Sequence, residues 1–353
     1  MSVSKGEFNL IVEANKLRSV AEEVLKGLGE REENAKKVAE MLVRADARGI
    51  STHGVYLLNV MAMRVEGGQL RLPTDVRVIS DRDATVLLDG GDGIGMVAAY
   101  EALNMAIDKA RRYGIGMALI RNTNNVGCLG CYTEKAAENG MIAMMSSNAA
   151  PSMAPWGAAE KFLGTNPIAI SIPGEDMNFT MDMATSVVAR GKIREAQRKG
   201  ASIPEGWALD AEGRPTTDPK EALEGTLMPI GGPKGSALAM AVDIICGLLA
   251  GSGYGNQLKS FHILEGPTRV GASLIVVDVS YFTDLFEFKK RMRDYFETVK
   301  SLKKAVGVEE IFIPGEIEFR REKESQERGI RIDDALASSI NDLLAKLGSS
   351  LRI

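Results

Sequence analysis

The sequence predicts an α/β protein with a strand-and-helix middle bracketed by helical segments at both ends. Three observations carry this. "ANKLRSVAEEVLKGLG" and "NAKKVAEMLVRADARG" space their apolar residues by three and four and close on glycine. From about residue 85 to 285, β-type and helical patterns alternate. Beyond that, "TDLFEFKKRMRDYFETVKSLKK" and "DDALASSINDLLAKLG" return to helical spacing. Chain ends are often neighbours in space, so the terminal helices are expected to pack together. That gives a helical domain of residues 1–80 plus 286–353 and an α/β domain of residues 81–285.

Within this frame "THGVYLLNVMAMRVEGG" reads as a third helix, and "DVRVISDRDATVLLDGGDGIG" as strands with glycine turns. The alternation then runs through "ATVLLD", a helix over 96–113, "GMALIRN", a helix over 132–139, "MIAMMSSN", "NPIAISIP" and "NFTMDMAT". A helix over 236–250 and the strand "ASLIVVDVS" follow. "EAQRKGASIPEGWALDAEGRPTTDPKEALEG" (195–225) is polar and turn-rich, and reads as a long ordered surface loop.

Composition narrows the function. Of 353 residues 45% are hydrophobic and 25% charged, ordinary for a globular chain, and the net charge of −4 offers no basic field for nucleic acid or an anionic membrane. The most apolar run, "SALAMAVDIICGLLAG", is short for a bilayer and carries Asp243, so a buried helix is expected. "MSVSKGEFNLIVEANKL" lacks the pattern of a secretory leader. Three scattered cysteines make no disulfide framework, and a cytoplasmic location is expected.

The chain has only two histidines. Too few exist for a three-histidine zinc site, and Cys128-x-x-Cys131 lacks a second ligand pair, so no metal is expected. His262 reads as structural or surface. His53, in "DARGISTHGVYLL", is either a helix-start residue or a general acid/base titrating near neutrality. Gly93-x-Gly95-x-x-Ala98 has the spacing of a dinucleotide fingerprint, but the second strand ends at Arg121-Asn122 where an acid would hold the ribose.

Six motifs in order, "ADARGISTHGV", "APWGAAEKFLGTNPIAISIPG", "MDMATSVVARGKI", "IPEGWALDAEGRPTTDP", "PIGGPKGSALAMAVDIICGLLAG" and "IPGE", resemble the malate/L-lactate dehydrogenase-like family of NAD(P)-dependent oxidoreductases over roughly residues 10–330. Its members include ureidoglycolate, sulfolactate and diketogulonate dehydrogenases or reductases and piperideine-2-carboxylate reductases. The resemblance implies a non-Rossmann fold with a central mixed-sheet cofactor domain, in which Gly93-x-Gly95 is a structural turn. It also implies NAD or NADP as cofactor, a small-molecule substrate and a homodimer.

Carried over by position, the resemblance makes His53 the proton donor, with Asn125 and Asp182 also at the catalytic centre. Asp182 would orient His53 or hold a ribose hydroxyl. The cofactor would be held by Asn148 and Ala149, by Asp182, Met183 and Ala184, by Lys234 and Gly235, and by Pro314, Gly315 and Glu316. Substrate contacts fall to Arg48, Leu57 and Thr165. Two positions depart from the pattern. The family's "SHGxxR" arginine, suited to gripping a carboxylate, is Leu57 here. The histidine of "NSNHFG" is Asn125. A carboxylate would then be held elsewhere, with Arg48 and "RGKIR" (190–194) as candidates. The expected activity is hydride transfer between nicotinamide and a 2-hydroxy/2-oxo acid. The alternatives are a cyclic imine (ketimine) reductase, whose protonated substrate asks less of position 125, and a cofactor-binding homologue without dehydrogenase activity.

Overall fold

The computed structural model describes residues 10–353. The first nine residues, where the leader reading begins, lie outside the described residues. In chain order, β1 (Leu10–Val12) leads into α1 (Ala14–Gly27) and α2 (Glu32–Ala47), then through a 3-10 turn at Ser51–His53 into α3 (Leu57–Glu66). Next come β2 (Arg77–Arg82), β3 (Thr85–Asp89), α4 (Gly95–Tyr113), β4 (Ile115–Thr123), α5 (Leu129–Glu138) and β5 (Met141–Ser147). The strands β6 (Ile168–Ile172) and β7 (Phe179–Met183) precede α6 (Arg190–Lys199), β8 (Ala208–Leu209), β9 (Pro215–Thr216), α7 (Pro219–Glu224) and β10 (Thr226–Leu227). The helix α8 (Pro233–Asp243) runs on as a π-helical segment, Ile244–Leu249. The chain closes with β11 (Val270–Asp278), α9 (Leu285–Ser301), α10 (Glu316–Arg328), β12 (Ile330–Ile332) and α11 (Asp334–Lys346).

A seven-stranded sheet in the order β2-β3-β4-β11-β5-β6-β7 forms the centre. Only β3 and β4 run parallel; every other pairing in it is antiparallel. This is a mixed sheet without the parallel βαβ series of a doubly wound dinucleotide fold. The glycines of the false fingerprint serve packing. A Cβ on Gly95 would lie 2.3 Å from the Asn124 carbonyl and 2.5 Å from that of Asn125, so only glycine lets α4 start against that loop.

One apolar core runs from Leu17 and Leu42 in the first helices through Leu103 and Leu274 to Ile340 and Leu344 in α11. The terminal segments do pack together, and β1 pairs antiparallel with β12. Among the described residues, no helix is long and apolar enough to cross a membrane.

The segment read as a loop over 195–225 is instead structured. It holds the second half of α6, the strands β8 and β9, and α7. With β10 the strands form a three-stranded sheet over a second core containing Met153, Ile193, Ile203 and Leu227. Its few apolar residues are too irregularly spaced to show a period. The Asp218-Pro219 helix start was nonetheless readable, since Asp218 accepts the Lys220 and Glu221 N–H groups and Pro219 opens the helix. Likewise α5 starts at Leu129 rather than 132, with Cys128 as its N-cap residue.

Candidate active site

The turn carrying His53 is held by a residue the sequence reading passed over. Asp46, near the end of α2, is buried at 8% exposure, and its Oδ2 accepts the Val55 N–H at 2.7 Å. Gly54 lies flat against the same carboxylate, where a Cβ would fall 2.0 Å from Oδ1. The chain between Asp46 and Val55 is thereby closed into a loop that presents His53. The only sequence signal was an acid among the apolar residues of a buried helix face.

Burial pushes the Asp46 carboxyl up to about 7. A pKa raised by folding contributes stability that is full below the unfolded value near 4 and is lost as pH rises through about 7, on the order of 4 kcal/mol in all. Asp46→Asn, whose amide oxygen still accepts from Val55, should remove this dependence. The melting temperature of the variant will fall less than that of the parent between pH 5 and 8, as thermal unfolding across that range would read. An equal fall in both would count against Asp46.

On the facing side Asp182 projects from β7, the edge strand of the sheet. Its Oδ2 accepts the Gly130 N–H at 2.7 Å and faces Cys128 Sγ at 3.4 Å. Hydrogen bonding with Cys131 and burial push the Cys128 thiol well up, so Cys128 stays protonated and serves as a donor to Asp182. Asn125 turns inward on its own loop, its Oδ1 accepting the Gly127 N–H at 2.8 Å. His53 is half-buried, with Nδ1 3.0 Å from Thr52 Oγ1. Burial lowers its pKa, and the negative charge of Asp182 works against that. Asp182 and His53 therefore lie within electrostatic reach of each other.

A cleft of about 240 Å³ opens beside Asp182, lined by Arg48, Cys128, Gly130, Asp182, Pro314 and Gly315 among others. Arg48 borders it, yet its guanidinium pairs with Glu134 and with Glu322 (2.8 Å). Gly315 sits at φ +89° with its α-carbon against Thr180, and the Pro314 carbonyl accepts the Thr180 N–H at 3.0 Å. Glu316 is buried and takes up Lys300 and Arg320, each at 2.5 Å, and the Ile313 N–H at 3.0 Å. Leu57 is 1% exposed, packed in the main core on α3.

The remaining candidates gather around the strand end that continues from Asp182. Past Met183 and Ala184, the Thr185 N–H and hydroxyl both bond the Thr165 carbonyl, and the Thr185 carbonyl accepts the Ile230 N–H. Ile230 opens the turn before α8, where Lys234 is exposed and a Cβ on Gly235 would strike the Ile230 carbonyl at 2.1 Å. Asn148 is buried and bonds Asp243, Gly253 and Gly271, while the Ala149 N–H reaches Asn166 Oδ1 at 3.1 Å. "DMATS" thus joins the cleft at Asp182 to the glycine turn, as one continuous backbone.

Comparison with known proteins bears on the chain as a whole. The family model described as malate/L-lactate dehydrogenase matches residues 12–341. The chain is 38% identical over 329 residues to an L-sulfolactate dehydrogenase of Methanocaldococcus jannaschii, covering 93% of this chain and 95% of that one. A solved sulfolactate dehydrogenase from that organism superposes with a TM-score of 0.91 at 37% identity, over 97% of this chain and 98% of the other. A malate dehydrogenase of Pyrococcus horikoshii is 38% identical over 345 residues, 96% and 95% of the two chains. The structure of a delta1-piperideine-2-carboxylate reductase from Pseudomonas syringae is more distant, with a TM-score of 0.84 and 27% identity over 95% of this chain and 100% of the other. The mixed sheet, the ordered motifs and these likenesses lead to one conclusion: the chain belongs to the malate/L-lactate dehydrogenase family of oxidoreductases.

Proposed function

We propose that this chain is an NAD(P)-dependent dehydrogenase acting on a 2-hydroxy/2-oxo acid, with His53 as its proton-transfer group. The observation that carries this is Asp182, which lines a cleft, is anchored by the Gly130 N–H at 2.7 Å and acts electrostatically on half-buried His53. The segment 230–235 suits a dinucleotide. Its glycines leave the backbone bare at the start of α8, and Lys234 has no carboxylate partner among the described residues. Lys234 and the N–H groups of that turn would hold the phosphates, with Met183 and Ala184 alongside.

When bound, the nicotinamide supplies or accepts the hydride at the substrate C2. The proton falls to the protein. With Nδ1 of His53 facing the Thr52 hydroxyl, Nε2 is the atom that takes the proton from a substrate hydroxyl or returns it to a carbonyl oxygen. Asp182 stabilises the imidazolium that oxidation leaves behind. Because burial lowers the His53 pKa, the ring is neutral at pH 7 and ready as a base. The reductive rate should accordingly fall, and the oxidative rate rise, as pH climbs through that lowered value.

The test is oxidation of NADH and NADPH against pyruvate, oxaloacetate, sulfopyruvate and the cyclic imines piperideine- and pyrroline-2-carboxylate. His53→Ala should lower kcat by roughly 10²–10⁴-fold while NAD(P)H fluorescence still reports binding. Turnover that survives the substitution would remove His53 from the chemistry. One observation favours cyclic imine reduction as a second reading. Asn125 spends its side-chain oxygen on Gly127, so the site has no second acid there, and a protonated imine needs none. Binding without turnover of any substrate would support a homologue that has lost its activity.

A homodimer is part of the proposal. Met240 (45%), Ile244 (49%) and Leu248 (56%) are exposed at intervals of four along α8 and its π-helical extension, a stripe suited to a second copy. So are a cytoplasmic setting, which three free cysteines favour, and the division into a helical domain (1–80 plus 286–353) and a cofactor-binding domain (81–285).

A further inference from the structure

Asp182 is an exposed carboxylate that no lysine or arginine neutralises among the described residues. Its counter-charge is the start of α5. Gly130 is the second residue of that helix, so its N–H is one of the donors a helix leaves unpaired, and the positive end of the helix dipole faces an anion there. Cys128 is the N-cap residue, with an extended backbone at φ −78° and ψ 115°. Its Sγ lies 3.4 Å from the same Oδ2 that the Gly130 N–H reaches at 2.7 Å. A Cβ on Gly130 would stand 3.1 Å from that oxygen, so glycine lets the carboxylate close on the helix.

The frame around this contact is held from behind. Thr180 shares a face of β7 with Asp182, two residues on. Its Oγ1 lies 3.1 Å from Ser171 Oγ on β6, which lies 2.8 Å from Thr133 Oγ1, and the Thr133 hydroxyl donates to the Gly130 carbonyl at 3.2 Å. Ser171 and Thr133 are wholly buried. Gly130 is thereby fixed through its carbonyl to Thr133 and through its N–H to Asp182. Of the three cysteines only Cys128 lines the cleft. Hydrogen bonding with Cys131 and burial hold its thiol in the protonated, donating form. A carboxylate oxygen offers about two acceptor sites. The thiol and the Gly130 N–H fill those of Oδ2, while no donor among the described residues is bonded to Oδ1.

We infer that Cys128 is a positioning residue for the reaction: with the Gly130 N–H, its thiol saturates Oδ2 of Asp182 and leaves Oδ1 as the acceptor offered to a hydroxyl of the bound substrate or cofactor. This rests on the dehydrogenase reading above. Without the thiol, Oδ2 keeps an open acceptor site, and the ligand meets two competing oxygens in place of one fixed oxygen.

The hydrogen bond is tested first, without turnover. The infrared S–H stretching band of Cys128 is isolated as the difference between the parent and Cys128→Ala, and again with Asp182→Ala in both. It should lie lower in the parent, because an S–H bond that donates is weakened. A band at one frequency in both backgrounds would overturn the inference whether or not any substrate reacts. The consequence is read by fluorescence titration with NADH and NADPH, and by kcat/KM for the fastest of pyruvate, oxaloacetate and piperideine-2-carboxylate at saturating cofactor. Cys128→Ala should weaken one of the two by roughly 10-fold. A loss of cofactor affinity assigns Oδ1 to the cofactor, and a loss in kcat/KM assigns it to the substrate. Cys128→Ser, whose hydroxyl also donates, should recover most of that loss. If the thiol only filled space, serine would be the worse replacement, since it buries a polar group without filling the gap. Parent-like values in Cys128→Ala, or a serine variant poorer than the alanine one, would sink the inference.

Discussion

Alanine at position 54 will cost the protein most of its activity and about 3 kcal/mol or more of stability. The reason is contact, not backbone strain: Gly54 has φ −92° and ψ −153°, which other residues adopt readily. Its α-carbon is instead pressed against Asp46, and a methyl group would lie 2.0 Å from Oδ1, 2.1 Å from Cγ and 2.2 Å from Oδ2. Asp46 cannot swing aside, because it is buried in α2 beside Leu42 and Val43 and already holds the Val55 N–H. The turn must therefore move, taking His53 with it. Urea unfolding and kcat together read both losses. A second variant isolates the cause. Adding Asp46→Ala to Gly54→Ala removes the obstacle, so the pair should be less destabilised than the sum of the singles. Strict additivity would mean that the two side chains do not share that space.

This contact also shows where legibility stopped. Elements whose pattern is local were readable from the residues: the α4 helix expected over 96–113 runs Gly95–Tyr113, and "ASLIVVDVS" covers residues 272–278 of β11. Site residues that act through distant neighbours were not. Asp46 gains its role only when Gly54 folds back on it. Cys128 becomes a donor only because Asp182, 54 positions away, meets it at 3.4 Å. The short elements of 195–225 were lost for a related reason. Their apolar residues contact Met153 and Leu163, and no periodicity within the segment reveals that. Motif order reached further, naming Arg48, Asp182, Pro314 and Gly315, which all line one cleft, because a motif carries the tertiary partners that a local pattern omits.

Arg48 provides the sharpest test of how position and role separate. As a cleft-lining arginine it is a natural grip for a substrate carboxylate, but its own environment assigns it other work. Together with Arg44 it neutralises a cluster of acids: Arg48 pairs with Glu134 and with Glu322, and Arg44 reaches Glu138 at 2.5 Å, Glu322 at 3.2 Å and Glu134 at 3.5 Å. These contacts tie α2, α5 and α10 together. Glu134 is 4% exposed, and burial raises its pKa even against the pull of both arginines. Arg48→Met will strand that carboxylate and destabilise the fold by about 3–5 kcal/mol. Much of this should be recovered by Arg48→Met with Glu134→Gln, which removes the stranded charge. The pH dependence has a definite sign. Stability drawn from protonated Glu134 is full below the unfolded carboxylate value and is lost as pH rises through its raised folded one, and removing Arg48 raises that value further. The Arg48→Met variant should therefore lose stability more steeply than the parent as pH rises. If Arg48 instead bound substrate, the variant would unfold like the parent and show its defect in KM. Denaturation measured beside KM distinguishes a strut from a substrate clamp at one residue.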